Sequence, residues 1–130
     1  NPSFLKQCQE PGADNADWLR HQQSSYKGVE SDIYRVLVQR AEEIGPQVEL
    51  NDLLSCDRFD VMQDVENIHL PTEIICGDAD YMTPVKYSNY LTEKIPGAHQ
   101  DIILEADHFV QLKQYRQVNA KIEEFLQRLK

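Results

Sequence analysis

The five glycines of this chain lie far apart, at positions 12, 28, 45, 77 and 97. No two of them have the spacing of the glycine-rich loops that bind dinucleotides or phosphates. Nor do any two frame a serine as G-x-S-x-G, the turn that presents a nucleophilic serine at the end of a strand. These absences exclude a dinucleotide-binding fingerprint, a P-loop and a nucleophile elbow from the sequence.

Cysteine is equally sparse, with only Cys8, Cys56 and Cys76. An odd number of cysteines cannot form a fully paired disulfide framework, and no C-x-x-C pair is present for zinc or redox chemistry. The histidines at 21, 69, 99 and 108 show no metal-ligand spacing, and H-E-x-x-H is absent. We therefore expect no metal and no cofactor, and a reducing, cytoplasmic setting.

Long apolar runs and clustered basic residues are also missing. No run approaches the 18 or so residues that a membrane span needs, so we expect no membrane contact. Acidic residues outnumber basic ones by 22 to 13, which gives a net charge of −9 and an isoelectric point near 4.8. Such a field repels polyanions, so we expect no nucleic-acid partner. The chain starts at Asn1-Pro2 with no signal-like segment, as either a mature protein or the tail of a longer chain would.

The first part of the chain, residues 1 to about 55, has helical periodicity and no strand pattern. A short helix is predicted around Asp14–Gln23. A second helix is predicted from Ser31 as N-cap to the stop signal Gly45-Pro46, because its apolar residues recur at intervals of three and four. A third short helix is predicted to start at Asn51.

The second part alternates between strands and helices. One more short helix is predicted between residues 57 and 71, then strands at 72–76 and 101–104 and helices at about 85–95 and 114–129. The last helix is predicted to bury its apolar residues, which are Val118, Ile122, Phe125, Leu126 and Leu129. This order is a βαβα unit with a parallel strand pair. Because two parallel strands make too small a sheet, we expect them to form the edge of a larger one.

An acid and an imidazole follow these two strands. Asp80 lies in the loop after the first strand and His108 in the loop after the second. Ligands of open parallel sheets bind at the carboxyl ends of the strands, so the two side chains can meet there. A carboxylate that holds one imidazole nitrogen leaves the other as a base. The simpler alternative is that Asp80 bonds local amides of its turn and that His108 is an ordinary loop residue.

The segment VENIHLPTEIICGDADYMTPVKYSNYLTEKIPGAHQDIILEADHFVQLKQYRQVNAKIEEFLQRLK resembles the C-terminal end of the α/β-hydrolases. In that family a G-x-x-D-x-x-x-P turn carries the acid of a catalytic triad, and a later loop, often G-H-F or G-H, carries its histidine. The matching residues here are Gly77, Asp80 and Pro84 in the turn and His108-Phe109 in the loop. The resemblance covers residues 57–130 and implies that Asp80 is the triad acid and His108 the triad base, while Asp78 only shapes the turn.

The same resemblance implies an α/β fold with two domains. Residues 56–130 would be the C-terminal part of the hydrolase core, and residues 1–55 part of a helical cap or lid. The family usually has glycine or another small residue before the histidine, and here it is Asp107. A carboxylate at that position could change the loop through local hydrogen bonds.

The implied activity is hydrolysis of a small ester or related acyl substrate. Met82 and Phe109 flank the two catalytic residues, so we expect them to line the substrate pocket; the alternative is that both simply pack. The serines present lack a strand-to-helix elbow, so we expect the chain to be inactive alone and to need the N-terminal half of the fold. The alternative is a non-catalytic ligand-binding or interaction module that completes its sheet by dimerising, with Asp80 and His108 as relics.

Overall fold

The computed structural model describes residues 15–130, so Cys8 and the predicted helix start at Asp14 lie outside the described residues. The chain divides into two compact units between Asp60 and Val61. None of the helices within 15–130 combines the length and the apolar character that crossing a bilayer requires.

The described residues of the first unit contain no strand and form three helices. They are α1 (Asn15–Ser25), α2 (Ser31–Ile44) and α3 (Pro46–Arg58). Gly45 ends α2 with a φ of 75°, and its N–H donates to the Ala41 carbonyl at 2.9 Å. Proline suits the first turn of a helix because the N–H it lacks would have no partner there.

Two predicted helix starts in this unit are wrong. Ser31 is not the N-cap of α2: Glu30 occupies that position, and no side chain caps the helix. The next helix begins at Pro46 rather than Asn51. Gly45-Pro46 therefore ends one helix and begins the next, because proline breaks a helix interior but fits a helix start.

Glu49 connects α1 to α3 inside the helical unit. Its Oε2 accepts a hydrogen bond from Gln22 Nε2 at 2.7 Å and another from Trp18 Nε1. Burial, and secondarily the Glu49 charge, raises the pKa of the Tyr26 hydroxyl. Since Gln22 is itself buried, this polar cluster is a fixed part of the packing between the helices.

The second unit contains a parallel strand pair with helices, as predicted. A 3₁₀ turn (Val65–Asn67) precedes β1 (Glu73–Gly77), α4 (Val85–Lys94), β2 (His99–Ile103), the short α5 (Val110–Lys113) and α6 (Tyr115–Arg128). The strands pair in parallel, with Glu73 opposite His99 and Gly77 opposite Ile103. Within the described residues the sheet has these two strands, so the predicted α/β class is confirmed.

Some boundaries in this unit differ from the prediction. Strand β2 begins at His99 instead of Asp101, because its first residues are polar and give no apolar run to recognise. The helix predicted between 57 and 71 is reduced to the single 3₁₀ turn. The loop after β2 contains the one-turn helix α5.

Helices α4 and α6 lie on opposite faces of the strand pair. Gln100 Nε2 donates to Asn89 Oδ1 of α4 at 3.0 Å, whereas the next residue, Asp101, pairs with Lys121 of α6 at 3.3 Å. Successive strand residues point to opposite faces. The two helices therefore cover both faces, as a parallel pair requires.

A cluster of buried apolar residues in the second unit lies on the α6 face. It consists of residues from β2, the following loop and the last two helices, with one β1 residue packed against them: Ile103, Ala106, Val110, Val118 and Ile75. The prediction that α6 buries its whole apolar stripe is wrong, because Ile122, Leu126 and Leu129 are 42%, 52% and 50% exposed. Two strands offer a helix of this length too little surface to cover that stripe.

Gly77 is needed where β1 meets the loop after β2. A Cβ at this position would lie 2.1 Å from the Ala106 carbonyl oxygen and 2.5 Å from its carbonyl carbon. Real Cβ atoms do not approach backbone so closely, so only glycine fits without a shift of the loop.

Substitution Gly77→Ala should therefore displace the loop that passes over it. We expect the free energy of unfolding to fall by about 1–3 kcal/mol, typical of an overpacked site. In ¹H–¹⁵N NMR spectra the amide signals of Ala106 and Asp107 should move. Gly97→Ala is the control, because Gly97 has open space around it and a φ of 75°. It should cost about 1 kcal/mol through backbone strain and leave those amides in place. Unmoved Ala106 and Asp107 signals in Gly77→Ala would contradict the steric argument.

Candidate active site

Asp80 occupies the turn that leaves β1, and its carboxylate is fully engaged. Oδ1 accepts the backbone N–H groups of Met82 and Thr83, both at 2.8 Å. Oδ2 accepts the Thr83 hydroxyl at 2.8 Å. The side chain is only 6% exposed, so the short sequence Asp80–Thr83 forms a closed turn around a buried carboxylate.

The hydrogen bonds keep this buried carboxylate ionised. Burial alone would raise the pKa of the Asp80 carboxyl, since it disfavours the charged form. The Thr83 backbone N–H, the His108 ring and the Thr83 hydroxyl outweigh burial and hold that pKa below its ordinary value. Asp80 is thus an acceptor with a permanent negative charge near neutral pH.

His108 reaches Asp80 from the loop after β2. Its Nδ1 lies 2.9 Å from Asp80 Oδ2. An ionised carboxylate only accepts hydrogen bonds, so Nδ1 carries the proton and Nε2 is left unprotonated in the neutral ring. The His108 side chain is 36% exposed whereas that of Asp80 is buried. The structure therefore brings together the two predicted catalytic residues, in the orientation of an acid behind a base.

Backbone hydrogen bonds extend the strand ladder into the two loops. The N–H of Asp78 donates to the Ile103 carbonyl at 3.0 Å, and the N–H of Ala79 donates to the Ala106 carbonyl at 2.9 Å. In return the Ala106 N–H donates to Asp78 Oδ1 at 3.3 Å. Asp78 thus does more than shape its turn, because its side chain contacts the histidine loop.

The histidine loop is held on its other side by Gln114, which lies between α5 and α6. Glu105 is the non-glycine residue with a positive φ, 56°, within the described part of the chain. Gln114 Nε2 donates to the Glu105 carbonyl at 3.1 Å and fixes this unusual turn. Residues in such a conformation persist where surrounding contacts hold them, often next to functional groups.

Asp107 turns away from the imidazole and contacts its own loop. Its Oδ1 accepts the Phe109 N–H at 2.9 Å, and its Oδ2 pairs with Lys113 Nζ at 2.5 Å. The carboxylate therefore closes the turn that carries His108. The departure from the small residue typical of the resembled family leaves the Asp80–His108 contact intact.

The two predicted pocket residues lie beside the pair. Met82 is 64% exposed, and its contact with Asp80 is made by its backbone N–H. The Phe109 ring packs edge-on against the His108 ring, with 5.5 Å between centroids. That both line a substrate pocket stays a prediction.

Thr83 is a further residue of the site, and its contacts with Asp80 and His108 were not predicted from the sequence. Its Oγ1 lies 2.8 Å from Asp80 Oδ2 and 3.2 Å from His108 Nδ1. A hydroxyl three residues after an aspartate is a weak signal, because such pairs commonly serve local turns.

The serines predicted to be non-nucleophilic include two that are placed in helices. Ser55 Oγ donates to the Asn51 carbonyl within α3, and Ser88 is buried in α4. Neither follows a strand, as a nucleophile elbow requires. In residues 15–130 no three metal-ligating side chains converge.

Similar solved structures are α/β enzymes. The chain is 26% identical to a thermophilic esterase, with a TM-score of 0.75 over 98% of this chain and 51% of that one. It is 23% identical to a bromoperoxidase from Bacillus anthracis, with a TM-score of 0.74 over 85% and 44% of the two chains. With an esterase from Exiguobacterium antarcticum the identity is 12% and the TM-score 0.80, over 97% and 47%. No protein-family model and no curated protein matches the sequence.

The chain spans about half the length of these three structures. The likeness includes the helical unit, since nearly the whole chain is matched in two of the three. Together with the parallel strand pair covered on both faces, it shows that this chain has the α/β-hydrolase fold and corresponds to a C-terminal portion of it.

Proposed function

We propose that this chain is the C-terminal part of a serine-type α/β-hydrolase that cleaves a small ester or related acyl substrate. The observation that carries the proposal is the 2.9 Å contact between His108 Nδ1 and the buried, ionised Asp80 carboxylate. It lies at the carboxyl edge of parallel strands, where such folds bind their ligands. The similar structures include esterases, which favours ester hydrolysis as the reaction.

In this mechanism His108 moves protons and Asp80 orients it. With the Nδ1 proton held by Asp80, Nε2 takes the proton of a serine hydroxyl as the serine oxygen attacks the substrate carbonyl. The imidazolium then gives this proton to the leaving alcohol. Water repeats the sequence in the second half of the reaction and releases the acid product. The Asp80 charge stabilises the imidazolium throughout and is not itself protonated.

The nucleophilic serine and the oxyanion-hole donors would come from the N-terminal half of the fold. In the complete protein, meaning the protein that carries this chain with the rest of the fold, we assign residues 1–55 to the cap and residues 56–130 to the core. Met82 and Phe109 would then face a small acyl substrate. We keep the cytoplasm as the proposed location, because the cysteine pattern suits a reducing compartment.

The strand pair supports the need for a covering partner. Apolar residues of β2 and α6 remain exposed, among them Ile102 at 42% and Leu126 at 52%. The remaining strands of the hydrolase sheet would cover such surface. A second copy of this chain would do so in the alternative function, a non-catalytic module that dimerises.

Removing either member of the pair should abolish most of the activity. In the complete protein we expect His108→Ala and Asp80→Asn each to lower kcat by at least about 100-fold, because the base is lost or its tautomer is no longer fixed. The measurement is steady-state hydrolysis of a short-chain p-nitrophenyl ester.

The controls are a second histidine and a second aspartate. His99→Ala alters an exposed residue at the amino end of β2, and Asp78→Asn keeps an acceptor oxygen for the Ala106 N–H. Each should change kcat by less than about threefold. A kcat that is unaffected by His108→Ala would remove the proposed mechanism.

A covalent probe tests where the nucleophile lies. A fluorophosphonate, which reacts with activated serines, should label the complete protein and fail to label this 130-residue chain alone. The labelled serine, mapped by mass spectrometry, should lie in a G-x-S-x-G sequence before Asn1. Labelling of Ser55 or Ser88, or of the isolated chain at all, would contradict the proposal.

The isolated chain should also associate in solution, because nothing in residues 15–130 covers the sheet edge and the exposed apolar surface. Size-exclusion chromatography with light scattering should give a mass above the 15.1 kDa of one chain. A compact monomer would show that the edge needs no partner. If the isolated chain forms a stable dimer and the complete protein has no esterase activity, the non-catalytic alternative would be favoured.

A further inference from the structure

The Thr83 hydroxyl has one proton and two polar neighbours. It lies 2.8 Å from Asp80 Oδ2 and 3.2 Å from His108 Nδ1. Thr83 as a residue is exposed, yet its hydroxyl contacts a carboxylate that is only 6% exposed. The hydroxyl thus lies within hydrogen-bond distance of both the acid and the base.

Proton counting decides the role of each group. The Asp80 carboxylate is ionised and only accepts, so the hydroxyl proton goes to Oδ2. Thr83 Oγ1 then presents only lone pairs to the His108 ring. Nδ1 consequently faces two acceptors, Asp80 Oδ2 at 2.9 Å and Thr83 Oγ1 at 3.2 Å.

This arrangement disfavours the Nε2–H tautomer of His108 through both of its oxygen neighbours. If Nδ1 lost its proton to Nε2, its lone pair would face two oxygen atoms without a hydrogen between them. Thr83 could relieve this only by turning its proton to Nδ1, which would break its bond to the buried Asp80 carboxylate. Leaving such a group with fewer donors is unfavourable.

We propose that Thr83 is a positioning residue that locks His108 in the Nδ1–H tautomer by donating to Asp80 and accepting from the ring. Its effect on the ring is a property of the three side chains alone. Its effect on catalysis rests on the proposed function, because the lock keeps Nε2 available as the base.

The tautomer is measured directly by ¹⁵N NMR. The protein that carries this chain is labelled with ¹⁵N in its histidine rings. The His108 signals are then assigned as those absent from the spectrum of the His108→Ala variant. At a pH where the ring is neutral, Thr83→Val should lower the ratio of Nδ1–H to Nε2–H about two- to tenfold, the effect of one ordinary hydrogen bond. Thr83→Ser keeps the hydroxyl and should restore the ratio.

The Asp80 carboxyl provides a second readout. The Thr83 hydroxyl is one of the donors that lower the Asp80 pKa. Thr83→Val removes this donor and keeps the backbone N–H of residue 83, so it should raise the Asp80 pKa toward its ordinary value, as followed by ¹³C NMR titration. A lowered folded-state pKa stabilises the protein above the unfolded-state value, and this stabilisation is lost as the pH falls through the folded-state pKa. The stability gap between wild type and Thr83→Val should therefore narrow on acidification.

The matched control is Thr92→Val. The Thr92 hydroxyl donates to the Ser88 carbonyl within α4 at 2.8 Å. The substitution therefore removes a threonine hydroxyl bond that does not involve His108. It should leave the tautomer ratio and the Asp80 pKa unchanged. If Thr83→Val does not fold, Thr83→Ala removes the same hydroxyl with less bulk and serves the same test.

Activity separates this proposal from the proposed function. In the complete protein, Thr83→Val should lower kcat about two- to tenfold with KM unchanged, and Thr83→Ser should recover it. A shifted tautomer ratio without any esterase activity in the wild type would refute the proposed function and support the Thr83 lock. An unchanged ratio and an unchanged Asp80 pKa in a folded Thr83 variant would overturn the lock, whatever the activity.

Discussion

The close passage of the Ala106 carbonyl over Gly77 is the constraint on which the candidate site depends. A side chain at Gly77 would need the space that the Ala106 backbone fills. This approach lets Ala79 donate to the same carbonyl and Asp78 reach the Ala106 N–H. The two loops are therefore fastened together beyond the last ladder pair. The acid and the base meet because their backbones have already been joined.

Asp80 and the loop that carries His108 each have their own hydrogen bonds. Two backbone N–H groups and one hydroxyl donate to Asp80, apart from its contact with His108. The histidine loop is closed separately, by Asp107 and by the Gln114 amide. Because each residue is positioned by its own turn, little further ordering of the pair would be needed in the proposed reaction. Such preorganisation is what electrostatic catalysis requires.

Much of this could be predicted from the order of elements along the chain. Two apolar runs separated by a helix predict a parallel pair, and its carboxyl edge brings Asp80 and His108 together. The orientation of the Thr83 hydroxyl could not be predicted, because it depends on a distance between two loops. The burial of Ile122, Leu126 and Leu129 was predicted wrongly. Periodicity shows that a helix has an apolar face, and it does not show whether anything in the same chain covers that face.

The acid and the base are separated by 28 residues along the chain, a segment that contains α4 and β2. The entropy of closing a loop grows only slowly with its length, so a unit of this size closes at modest entropic cost. Contacts between residues closer in sequence tend to form before contacts between more distant ones. The Asp80–His108 contact lies within the second unit, whereas the serine of the proposed mechanism would join it through contacts of still greater sequence separation. If the proposed mechanism holds, the acid and base of the triad would be assembled before the nucleophile joins them.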